Sequence, residues 1–165
     1  MIMIPKLPEQ LISLIQALET LSNQLNDTLN QERALLSSND STQLLALTTK
    51  KKALVSSLEK QTKTTHVFLK NIDIKQGLYG LSDFFSQVKP SVEKTSLHDA
   101  WLNVQSLSAE NKKLNHANGS IIELNRRHTQ RSLDVLRGQT GTANSTYGSD
   151  GQAMKSKISR NISIA

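Results

Sequence analysis

The residues of this chain best suited to acid–base or metal chemistry are four histidines, His66, His98, His116 and His128, and no two of them stand four apart. None lies in a Cys or His-Glu-x-x-His context, so the spacing by which two helical side chains grip one cation is missing; solvated or capping roles are expected instead. Glu123 and Asp134 have no adjacent base or ligand set in sequence to tune them for proton transfer. Gly-x-Gly-x-x-Gly, P-loop and nucleophile-elbow motifs do not occur. The chain has no cysteine, which removes thiolate sites and disulfides and is compatible with a reducing compartment. The expectation is a protein without catalytic residues, metal or cofactor, acting through what it binds.

Charge is the remaining chemistry. The chain carries a formal +6, unevenly placed. Residues 1–49 sum to −3, while residues 50–75, with seven basic and two acidic side chains, sum to +5 around Lys50, Lys51 and Lys52. A solvated helix face is the plain reading of such a run, and a basic helical nucleic-acid binder is the competing one. A second cluster, Arg126, Arg127, Arg131 and Arg137, lies near the end of a predicted helix. Cations there complement the helix macrodipole. They also flank Ile122, Leu133 and Leu136, so an apolar groove with a basic rim could receive an amphipathic helix from another protein. Both readings stand on the residues alone.

The elements that carry these groups read as helices. The chain has 165 residues, 36% hydrophobic and 4% aromatic, with leucine dominating the apolar set, which fits one all-α domain. Leu7, Leu11, Leu14, Leu18, Leu21 and Leu25 alternate fours and threes, predicting a heptad stripe on a helix over about 8–37. Asp40 followed by Gln43 predicts the cap of a second helix folded back on the first, with Leu44, Leu47, Leu54, Val55 and Leu58 on its apolar face. A short helix over Leu81–Val88, with Phe84 and Phe85 in the core, is expected to close one end of the bundle. A third long helix over Val92–Arg137 follows, its stripe interrupted by Asn111, Asn115 and Asn118, which need partners or water. Gly119 within it predicts a close backbone approach or a kink. The architecture expected is an elongated antiparallel bundle of three long helices and one short, with coiled-coil-like packing. It would occupy residues 1–138, with 139–165 as a flexible docking tail. Pro5 cuts the apolar opening short of a signal peptide, and no segment approaches a membrane span.

That tail carries Tyr147-Gly148-Ser149-Asp150-Gly151-Gln152 and ends in a basic run with Ile162-Ser163-Ile164. A small polar segment of this kind, bearing a turn motif beside apolar residues, orders only on a partner's surface. Together with Trp101, Leu114-Asn115-His116-Ala117-Asn118-Gly119, Ile122, Gln130, Leu133 and Leu136, it resembles the FlgN family of flagellar type III export chaperones. The resemblance implies a cytoplasmic helical bundle that binds the C-terminal helices of hook–filament junction proteins. It also implies docking on the cytosolic domain of the export gate, with the export ATPase complex as a further candidate partner. Carried over by position, the cargo surface comprises Asn115, Asn118, Gly119, Ile122, Arg126, Gln130, Leu133 and Leu136. Tyr147, Gly148, Asp150 and Gly151 would dock on the gate. The residues also permit a structural coiled-coil adaptor, paired through the Leu7–Leu25 stripe.

Overall fold

The computed structural model describes residues 7–38 and 40–138. Every regular element among them is helical: α1 (Glu9–Ser38), α2 (Ser41–Asn71), a 3-10 turn (Gly77–Gly80), α3 (Leu81–Gln87) and α4 (Val92–Leu136). The fold is an all-α bundle of three long helices and one short, as the periodicity predicts. Among the described residues no helix is long and apolar enough to cross a membrane. They fall into two compact units, one ending at Gly119 and one beginning at Ser120, and α4 contributes to both.

In the first unit α1 supplies the central seam. Leu11, Ile15, Leu18, Ser22, Leu25, Leu29, Glu32 and Leu36 are all buried and alternate spacings of four and three, the heptad signature. The seam differs from the leucine stripe seen in sequence, because Ile15 and Ser22 take the inward positions beside Leu14 and Leu21. Leu14 is still buried; Leu21 is half-buried. At about 1.5 Å per residue a helix of this length supports some 45 Å of packing surface.

Helix direction follows from the bonds between helices. Lys51 of α2 donates to Glu32 of α1, and Gln61 of α2 donates to the carbonyl of Leu14. Positions rise on one helix as they fall on the other, so α1 and α2 form the expected antiparallel hairpin. Asp40 caps α2, its carboxylate accepting from the backbone N–H of Gln43 at 3.0 Å; such a cap contributes about 1 kcal/mol. Asn103, Asn111 and Asn118 of α4 meet Glu19, Ser22 and Leu29 of α1 in the same order, so α4 runs parallel to α1.

The end of this unit at the start of α1 is closed by the segment between α2 and α4. Leu69, Ile74, Leu81, Phe84 and Phe85 join Leu11, Ile15, Leu97 and Trp101 in one apolar cluster. His98 packs edge-on against Phe85, with ring centroids 5.3 Å apart. The turn depends on Gly77, at φ +57°, where an added Cβ would fall 2.3 Å from the His66 imidazole. His66 Nδ1 in turn accepts from the Leu78 N–H at 3.5 Å. Gly77→Ala therefore combines an unfavourable backbone region, costing about 1–2 kcal/mol, with a clash against a half-buried ring. Thermal unfolding of this variant is expected to show a loss of at least about 2 kcal/mol.

Candidate protein-docking site

Two polar residues of α4 stand where a heptad seam would place apolar ones, and both are used inside the bundle. Asn111 donates to the Ser22 carbonyl at 3.0 Å and accepts from the Asn26 amide at 2.9 Å. Asn118, fully buried, donates to the Leu29 carbonyl and to Glu32 Oε2, each at 2.9 Å. Glu32, 1% exposed, receives Lys51 on its other oxygen at 2.6 Å. One carboxylate thus joins α1 to α2 and α4, an arrangement tolerable in the interior because hydrogen bonds satisfy both oxygens.

Asn118, expected at the cargo surface, is thus buried in the free chain with its amide committed to α1. Asn115, one turn earlier on α4, is exposed and accepts from Lys51 at 3.5 Å. Gly119 is also exposed, and a Cβ there would meet nothing within 4 Å, so no backbone among the described residues approaches it closely. Its cost as a helical glycine is unoffset. Gly119→Ala is expected to stabilise the chain by about 1 kcal/mol in denaturant titration, since it removes only helix-breaking freedom.

The second unit presents a different surface. Within α4 beyond Gly119 no apolar side chain is buried: Ile122, Leu124, Leu133, Val135 and Leu136 are all exposed, Leu136 to 83%. By helical spacing Ile122, Arg126, Gln130, Leu133 and Leu136 share one face. The structure thus brings five of the residues expected at the cargo surface together on one side of a single helix. Leu124 and Val135 lie on the opposite face and escaped the sequence reading as surface residues. Their apolar spacing resembles that of a core stripe, and only their exposure separates the two. The helix stops at Gly138, whose φ of +71° and N–H donation to the Val135 carbonyl form a C-terminal cap.

Electrostatics moderate the arginine rim. Arg126 grips Glu123 with two bonds of 2.9 and 3.0 Å, and Arg127 adds a third at 2.9 Å. These bonds hold the Glu123 carboxyl down at about 2. The carboxylate is therefore ionised throughout the physiological range and offsets part of the positive charge. A depressed carboxyl contributes stability above its unfolded pKa and loses it as pH falls toward 2, but on an exposed helix that contribution is small. Gln130 is held by Asp134 at 2.9 Å. Tyr147, Gly148, Asp150 and Gly151, together with the tail expected to be flexible, lie outside the described residues.

A family model described as FlgN protein matches residues 1–155 of the chain. Neither the curated proteins nor the solved structures offer a match.

Proposed function

Because the chain belongs to the FlgN family, whose members are flagellar export chaperones, we propose that it binds the C-terminal helical segments of hook–filament junction proteins in the cytosol. It keeps them soluble and unassembled and delivers them to the type III export gate. The observation that carries this reading is the set of exposed apolar side chains on α4 beyond Gly119, where only Ile121 is half-buried. Apolar side chains left in water along one helix face form a half-interface that an amphipathic partner helix completes. Ile122, Leu133 and Leu136 supply the apolar contact; Arg126 and Gln130 supply polar bonds at its edge; Asn115 and Gly119 extend the surface. Binding of this kind needs no chemistry, and the cost of ordering the client limits affinity, which suits a client that must be released.

Tyr147, Gly148, Asp150 and Gly151 serve as a second docking element for the cytosolic domain of the gate. Carried on a short tether, such an element raises the local concentration of cargo there without any new contact to the cargo itself. Tyr147→Ala is expected to leave co-elution with the junction-protein segment unchanged and to abolish capture by the gate domain. In a strain lacking the wild-type chaperone it should fail to restore secretion of the junction proteins. Restored secretion and normal gate capture would remove Tyr147 from the docking element.

A further inference from the structure

The first unit contains a cleft of about 990 Å³ that the cargo reading does not use. Its floor is Leu18, Leu25 and Leu29 of α1; one wall is α2 from Lys51 to Val67 and the other α4 from Trp101 to Asn115. At about 1.5 Å per residue these walls run some 21–24 Å, the length of a helix of about 16 residues. Val55 and Val67 on the α2 wall and Tyr79 at the closed end remain exposed to 39%, 56% and 87%. Three helices thus enclose a trough whose fourth side is open.

The charge of the lining identifies its occupant. The lining includes Lys63 and Lys112, beside Lys51 already held by Glu32, and not one Asp or Glu. An apolar floor rimmed by lysines without acidic neighbours in the lining selects an amphipathic helix with carboxylates beside its apolar stripe. The chain's own segments are the wrong sign: residues 139–165 carry three basic side chains and one acidic. The exposed helix beyond Gly119 carries Arg126, Arg127 and Arg131 against Glu123 and Asp134.

We infer that the α1–α2–α4 trough is a docking site for an acidic amphipathic helix of another protein. This goes beyond the Leu133 face, with which the trough shares only Asn115.

Trp101 is the chain's single tryptophan, so its emission reports occupancy directly. The probe is a tryptophan-free synthetic peptide of about 16 residues, with leucines on one face flanked by glutamates, titrated into the full chain. A saturable emission change is expected. The same peptide with lysine flanks should bind at least about tenfold more weakly, a difference of about 1.4 kcal/mol. Lys63 and Lys112 are exposed, so the Lys63→Glu, Lys112→Glu double variant should fold and should reverse the preference. Leu133→Asp should leave the titration unchanged, which separates this site from the cargo face. Equal binding of both peptides, an unaltered preference in the double variant, or no emission change would overturn the inference. So would an emission change on deleting residues 139–165, or one that tracks protein concentration, because the occupant would then be the tail or a second copy.

Discussion

Leu133→Asp is expected to weaken binding of a junction-protein helix by at least about a hundredfold while leaving the fold intact. Full burial of a leucine contributes about 1.5–3 kcal/mol, and placing a carboxylate in the same apolar contact adds a desolvation cost of similar size. A hundredfold corresponds to about 2.8 kcal/mol. The bundle is spared because Leu133 is 39% exposed in the free chain and belongs to no buried cluster. Far-UV circular dichroism and thermal melting should therefore coincide with wild type. A variant that binds cargo normally would move the contact off this face of α4.

The second large effect concerns the interior. Glu32→Ala is expected to destabilise the chain by about 3 kcal/mol, because removing one partner of a buried ion pair strands the other. For a chain of this size that lowers the melting temperature by roughly 6–12 °C. Lys51 would lose its 2.6 Å partner and Asn118 one of its two acceptors. Glu32→Gln, which keeps an acceptor for Asn118, should lose less. Measuring Glu32→Ala, Lys51→Ala and the double variant isolates the pair, and the double variant should fall short of the sum of the singles. Strict additivity would mean that Glu32 and Lys51 contribute independently.

Helix limits were legible in the sequence wherever a backbone requirement demanded a particular residue type. Asp40 caps α2 through Gln43, and Gly138 ends α4 in a left-handed conformation that other residues resist. The closing helix at Leu81, Phe84 and Phe85 was legible because one apolar face has one spacing. What escaped was the polar part of the seam. Ser22 and Glu32 occupy inward heptad positions, and no pattern that counts leucines can register them. Asn111 and Asn118 showed in sequence as interruptions needing partners. The partners, a carbonyl on Ser22 and another on Leu29, are backbone groups some 89 residues away. The apolar residues of α4 beyond Gly119 were legible as apolar, but the same spacing serves a helix packed inside its own bundle and one awaiting another protein. Burial alone distinguishes these cases. Gly119 shows the converse, a glycine read as marking a close backbone approach or a kink, beside which no neighbour lies within 4 Å of an added Cβ.

The central claim is that α4 beyond Gly119 is a half-interface for a secreted protein's helix. Its most direct test is calorimetric titration of the full chain with the C-terminal segment of a hook–filament junction protein, in parallel with Leu133→Asp. Saturable binding near one to one is expected, accompanied by a negative heat-capacity change from apolar burial, and lost in the variant. Absence of heat together with absence of co-elution, or binding that Leu133→Asp leaves untouched, would contradict it.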